Sequence, residues 1–231
     1  MFYEDINDKN RQVWLAAVLS SIPKGARILD AGAGEQRNRA LCKHLNYVSQ
    51  DFCQYTGGGE LPEGLQIGKW DTSRIDLVCD ITAIPESPNS FDAILCTEVL
   101  EHVPDPTKAL DEFARLLRPG GKLILTAPFA SLVHMAPHHY CSGFSRYWYE
   151  YHLPLRGFAI TSIVANGDWF AFVRQEMARL GSTARERGDW AWPLAYLLRV
   201  LGALYFTLRG GRSTEDMACF GWNCLATKKS D

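Results

Sequence analysis

The sequence predicts an α/β protein: a doubly wound, seven-stranded, mostly parallel sheet with one antiparallel late strand and a helical insert before the last strand. Three observations carry this. Short apolar strands alternate with helices or long excursions from Arg27 to Ala127, which implies right-handed crossovers and parallel pairing. The first three strands each close on an acid, Asp30, Asp51 and Asp80. The first strand also runs straight into a glycine turn, Asp30-Ala31-Gly32-Ala33-Gly34, a feature of ligand-binding sheets.

The elements follow in order. Asn10 to Ile22 places Val13, Trp14, Ala17, Val18 and Ile22 close to helical spacing, and Pro23-Lys24-Gly25 ends it. Arg27-Ile28-Leu29-Asp30 is the first strand, Arg37 to His44 the helix after the turn, and Tyr47-Val48-Ser49-Gln50-Asp51 the second strand. Thr56 to Arg74 is too broken by Gly57-Gly58-Gly59, Pro62, Gly64 and Gly68 for a regular helix. A long excursion is expected there. Asp76 to Asp80 is the third strand, and Phe91 to Cys96 the fourth, continuously apolar as a strand buried on both faces must be. Pro106 to Leu117 sets Leu110, Phe113, Leu116 and Leu117 on one side of a helix that Arg118-Pro119-Gly120-Gly121 stops. Lys122 to Ala127 is the fifth strand. Phe158–Val164 and Phe220–Ala226 are late strands, separated by helices over Trp169–Leu180 and Trp192–Leu208.

At 231 residues and 47% hydrophobic, the chain fits one domain, residues 1–231, with a helical insert at about 166–216. A net charge of -2 without any basic block argues against a nucleic-acid partner, because polyanion binding requires several phosphates to be neutralised. The seven cysteines are scattered with no C-x-x-C pair, and the acidic start Met1-Phe2-Tyr3-Glu4-Asp5 lacks an apolar run. A cytoplasmic protein with reduced thiols is expected.

The glycine turn separates cofactor classes. Gly32 and Gly34 allow close backbone approach to a ligand, as in nicotinamide sites. An anion at Asp30, however, sits badly beside a pyrophosphate and well beside an ammonium and a sulfonium. That favours S-adenosylmethionine (SAM) over NAD.

From Arg27 to Pro128 the chain resembles the class I SAM-dependent methyltransferases, most closely the type 11 small-molecule group. The resemblance rests on Asp30-x-Gly32-x-Gly34, Asp51, Asp80-Ile81, Ser90-Phe91-Asp92-Ala93-Ile94, Glu98-Val99-Leu100-Glu101-His102-Val103 and Leu117-Arg118-Pro119-Gly120-Gly121, in that order. It implies a Rossmann-like fold and SAM as cofactor. Two departures stand out: Gln36 occupies the usual third glycine, and the glycine-rich excursion replaces the second crossover helix.

The expected roles follow residue by residue. Asp51, about twenty residues past the turn, is placed to accept ribose hydroxyls. Asp80 and Ile81 are expected to hold the adenine and Phe52 its other face. Thr97 and Glu98 should floor the methionine end, with the Gln36 amide at its carboxylate. His102, in the Glu-His position, is a catalytic candidate as base or substrate contact, and so is His139. His138, Tyr140, Arg146 and Tyr147 form an expected lid facing the substrate. Each also has a plain structural role open to it, such as helix capping by Asp80 or packing by His102. No metal is expected, because His134, His138 and His139 match no familiar ligand spacing followed by a distant fourth.

The end of the fourth strand reads Cys96-Thr97-Glu98, without the Asn/Asp-Pro-Pro-aromatic motif of amino methylation. Oxygen is therefore the expected nucleophile, on a small-molecule or saccharide hydroxyl. C-methylation of a quinone-like or lipid-linked acceptor, and a SAM-binding protein without turnover, are the alternatives; a nicotinamide oxidoreductase leaves Asp30 unexplained. Residues 190–208 are strongly apolar, interrupted by Arg199. Packing within the fold, a homodimer interface and peripheral docking on a membrane all remain open for them.

Overall fold

A computed structural model describes residues 6–55, 57, 65, 68, 70–209 and 214–230. Its strands are β1 (Arg27–Ala31), β2 (Asn46–Asp51), β3 (Leu77–Val78), β4 (Phe91–Thr97), β5 (Leu117–Pro128), β6 (Phe158–Asn166) and β7 (Gly221–Lys228). They form one seven-stranded sheet in the order β3-β2-β1-β4-β5-β7-β6. The pairs β1–β2, β1–β4, β2–β3 and β4–β5 are parallel, and β5–β7 is antiparallel. The order reverses at β1, between β2 and β4, which opens a crevice beyond their C-terminal ends.

Burial explains why these segments are strands. Ile28, Leu29, Ala93, Ile94, Leu95, Leu123, Ile124 and Leu125 are all fully buried, as a sheet covered on both faces requires. Helix α1 (Ile6–Ser20) sets Leu15 and Leu19 into a cluster with Ile28, Ala93, Leu95 and Ile124. Helix α2 (Pro106–Leu116) begins with Pro106 behind an Asp105 cap that accepts from the amides of Thr107 and Lys108. It buries Leu110, Phe113 and Leu116.

Four local expectations are corrected. Arg37 to His44 is a 3-10 segment, Arg37–Cys42, rather than an α-helix. The third strand shrinks to Leu77–Val78, because the Asp76 carboxylate takes the Ser49 amide (2.9 Å) that a longer ladder would have used. Arg118–Gly121 belongs to β5 as a bulge: Phe91 pairs with Leu117, and Ala93 already pairs with Lys122. Helix α3 (Arg146–His152) lies where no helix was expected. Most of the Thr56–Arg74 excursion lies outside the described residues; within it, Leu65 bridges to His134.

The chain divides into two compact units. One, Gln12–Val164 with Gly221 onward, carries the sheet. The other joins Ala165–Phe220 to the residues up to Arg11 and carries α4 (Trp169–Glu186) and α5 (Trp192–Arg209). Asp168 caps α4 by accepting the Ala171 amide, and Asn166 donates to Asn7. The two helices approach closely where Gly181 meets the Tyr196 ring and Gly202 meets Met177. Leu197, Val200, Leu201 and Leu204 on α5 are each more than half exposed. Among the described residues, no helix is long and apolar enough to cross a membrane.

Candidate active site

The turn after β1 is fixed by backbone geometry. Gly32 has φ +75°, and its amide and that of Ala33 both donate to the Gln50 carbonyl, at 2.9 and 2.8 Å. A Cβ on Gly32 would lie 2.5 Å from Val99 Cγ2, so only glycine fits. Gly34 has φ +50° and lies under Trp70, whose ring would be 2.9 Å from an added Cβ. The Gly34 amide donates to Asp51 Oδ2 (2.9 Å), and Asp51 Oδ1 accepts from Cys53 N (2.8 Å). Asp51, only 4% exposed, therefore clamps the β1 turn onto the end of β2.

Beside this clamp is a cavity of about 390 Å³, of a size that suits a small-molecule site. One part of its wall comes from Gly32, Asp51, Phe52, Asp80, Ile81 and Glu98; His102, Val103, Pro104, Met135, His138 and Tyr140 supply another. Gln36, Cys53, Glu98 and Met135, one in each of four loops around it, are non-glycine residues with positive φ. Such conformations cost energy and cluster at functional sites. Thr126 Oγ1 donates to Glu98 Oε1 (2.9 Å), which fixes that side chain over the strand end.

Gly32, Asp51, Phe52, Asp80, Ile81, Glu98, His102, His138 and Tyr140 are thus brought together, as their positions in the sequence anticipate. Other nominated residues are not on the wall. The Asp30 carboxylate is 1% exposed and accepts the Tyr47 hydroxyl at 2.6 Å. Burial pushes its pKa up to about 7, against the lowering effect of the Tyr47 bond and with a further rise from Asp51. It lies in the core beneath the turn, off the cavity wall. The Gln36 amide is spent on Ser49 Oγ (2.9 Å) and the Arg74 carbonyl (2.6 Å), which corrects its expected contact with a cofactor carboxylate. Gly34 acts through its amide, and Thr97 Oγ1 accepts from Asn38. Arg146 is tied to Glu150 (2.7 Å) on α3, and Tyr147 is 71% exposed; neither forms a lid over the cavity.

His102 lies on a 3-10 turn, Leu100–His102, next to the buried Glu101. The Glu101 carbonyl accepts the amides of Tyr140 (2.9 Å) and Cys141 (3.3 Å), latching the loop after β5 onto this turn. His102 Nδ1 is hydrogen-bonded to the His138 carbonyl, which can only accept, so Nδ1 carries the proton and Nε2 the lone pair. Burial lowers the His102 pKa to about 4; the His138 carbonyl partly opposes this, and the neighbouring imidazoles reinforce it. Burial likewise lowers that of His139. His139 is off the wall, 5.9 Å from the His102 ring and 4.9 Å from that of His134.

Sequence reasoning gave no role to Trp70, Val99 or Met135. Trp70 had a signal, being the single aromatic in the glycine-rich excursion. Val99 gave none, because its fit against Gly32 appears only once β1 and β4 are paired.

A family model described as a methyltransferase domain matches residues 6–184. The ubiquinone biosynthesis O-methyltransferase of Xylella fastidiosa (strain 9a5c) is 39% identical over 104 residues, 44% of this chain and 42% of that protein. The protein of the same name from Xanthomonas oryzae pv. oryzae (strain PXO99A) is 37% identical over 107 residues, covering 44% and 43%. The chain thus spans less than half the length of these relatives. Among solved structures, the [4+2]-cyclase SpnF superposes with a TM-score of 0.59 at 17% identity, over 96% of this chain and 81% of that one. Phosphoethanolamine N-methyltransferase 2 of Haemonchus contortus, solved with S-adenosyl-L-methionine, gives 0.54 at 17% identity, over 96% and 53%. At such identities these two similarities show the fold alone.

Proposed function

The chain belongs to the methyltransferase-domain family and has the class I SAM-dependent methyltransferase fold; from that premise we propose that it methylates a hydroxyl of a small-molecule acceptor, with a phenolic ring as the favoured class. The observation that carries the reading is one cavity holding a clamped acid, Asp51, together with a lone-pair imidazole, His102.

The residues present suit the cofactor. Asp51 uses each oxygen once on a backbone amide and keeps further lone pairs for ribose hydroxyls. Phe52 and Ile81 offer faces for a flat base, with Asp80 beside them. Gly32 leaves the backbone open, and Glu98 is held nearby. When bound, SAM supplies a methyl group already activated on a sulfonium.

The protein's own work is alignment, exclusion of water and management of one proton. Val103, Pro104 and Met135 give the acceptor an apolar wall beside His102. His102 Nε2 presents a lone pair to the hydroxyl proton as the oxygen–carbon bond forms and the sulfur–carbon bond breaks; burial that lowers its pKa to about 4 makes it a weak base, so alignment carries most of the work. An aromatic hydroxyl is supported by this wall and by the O-methyltransferase name of the relatives, matched over the part of their length given above.

The test is incubation with SAM and a panel of phenols, catechols and hydroxylated sugars, followed by mass spectrometry. O-methylated phenol with stoichiometric S-adenosylhomocysteine supports the reading. Carbon-methylated product, or SAM binding with no turnover on any acceptor, would replace it with one of the two alternatives.

A further inference from the structure

We infer that Glu101, His102, His134 and His139 form a binding site for a divalent first-row transition metal, of the zinc type, bordering the acceptor side of the cavity. The three histidines each present a ring nitrogen within 4.8 Å of the others. Glu101 Oε1 lies 3.7 Å from His102 Nε2 and 3.9 Å from His134 Nε2, too far for hydrogen bonds. Zn–N distances of about 2.0–2.1 Å in a tetrahedron put neighbouring ligands roughly 3.3 Å apart. The two glutamate–histidine separations are therefore within about 0.6 Å of ligand spacing and the histidine–histidine ones within about 1.5 Å, a closure that side-chain rotations would have to supply.

The outer partners point the same way. A metal-bound imidazole commonly donates its other N–H to a carbonyl, which fixes ring and tautomer. His102 Nδ1 is paired with the His138 carbonyl, and His134 Nδ1 with the Leu132 carbonyl at 2.9 Å. With carbonyls as partners, both rings are left with Nε2 as the lone-pair nitrogen. Both ring nitrogens of His139 are shielded from solvent and have no hydrogen-bond partner among the described residues, an unusual position for a buried polar group. A set of three imidazoles and one carboxylate suits zinc or its neighbours and suits magnesium or calcium poorly, since those ions prefer oxygen.

The expectation of no metal weighed the histidines after β5 alone, and the topology adds two groups to them. The sequence search looked for a further ligand after His134 and His139, but Glu101 and His102 come from the preceding strand–helix connection. The latch of Tyr140 and Cys141 onto the Glu101 carbonyl is what brings the two loops together.

The catalytic role rests on the O-methylation reading. A metal held by these four groups would take up His102 Nε2 and, by accepting the acceptor hydroxyl as a fifth ligand, would supply Lewis-acid activation of that hydroxyl in place of the His102 base. Occupancy itself is independent of that reading and is measured without SAM or acceptor.

The experiment is titration of the metal-stripped full chain with Co²⁺, followed by visible absorption, and with Zn²⁺, followed by calorimetry. One equivalent bound, with the intense d–d bands of four- or five-coordinate cobalt, is expected. His134→Ala and His139→Ala should each weaken binding roughly 10–100-fold or more, while His152→Ala, outside the cluster, leaves it unchanged. His139→Gln, closer in shape, serves if the alanine variant does not fold, as judged by its thermal transition. Absence of saturable binding, or binding that survives both cluster substitutions, overturns the site. Either result leaves methyl transfer to be decided by its own assay.

Discussion

Two loops border the same cavity and are built on opposite plans. The turn after β1 is made of backbone: glycine torsions, amides donated to Gln50 and Asp51, and a space that Val99 closes to any Cβ. The loop after β5 is made more of side chains, with imidazoles set side by side and held by the Glu101 latch, the Leu65 bridge and carbonyl contacts. A site for one constant ligand can be written into torsion angles. A site that must suit a particular acceptor is more easily written in side chains, which change without disturbing the sheet.

The sharpest way to break that contrast is at the backbone. Gly32→Ala should abolish measurable SAM binding in calorimetry and lower stability by about 1–3 kcal/mol from torsional strain, with overpacking added. Adding Val99→Ala should restore the overpacking part in thermal unfolding and leave the strain. Asp51→Ala removes the acceptor of two amides and should weaken SAM binding by about 1.5–3 kcal/mol. Unchanged affinity would show that the clamp does not touch the cofactor. On the other loop, His139→Ala should cut turnover on the order of tenfold or more while SAM affinity stays within about a factor of two. A loss of SAM affinity instead would mean that the two loops are not separable.

A gentler test uses protons. The folded Asp30 pKa of about 7 lies above the ordinary aspartate value of 3.8, so the native state holds this proton longer than the unfolded chain does. Its contribution is fully present below about pH 3.8 and is lost as pH rises through 7. Asp30→Asn should therefore gain stability relative to the parent between pH 4 and 8, read as a widening gap in denaturation midpoints. Arg146→Ala and Tyr147→Ala, on the exposed start of α3, should leave SAM affinity and turnover unchanged within error.

Much of this was legible in sequence where chemistry is local. Alternating apolar runs gave the strands, and the Asp30-x-Gly32-x-Gly34 turn with Asp51, Asp80 and Ile81 marked out the β1–β2 side of the cavity. Legibility ended where a role depends on distant pairing. Asp30 looks like a ligand contact until Tyr47 is seen to occupy its carboxylate. Gln36 looks free until Ser49 and Arg74 take its amide. The histidine cluster needs two loops far apart in the chain to be latched together, and no local spacing encodes that. Arg146 and Tyr147 were read as a lid because the short helix α3 leaves little periodicity to betray it.

The indole that lies over Gly34 has a practical consequence. Trp70 lines the cavity and packs edge-on to Tyr55, 5.4 Å between centroids, so the binding site carries its own fluorophore. A ligand entering there changes the polarity around that ring, whereas Trp190, 90% exposed in the other compact unit, emits as in water. Occupancy should therefore be visible as a shift in the blue part of the emission band, absent in Trp70→Phe, with no label and no knowledge of the acceptor.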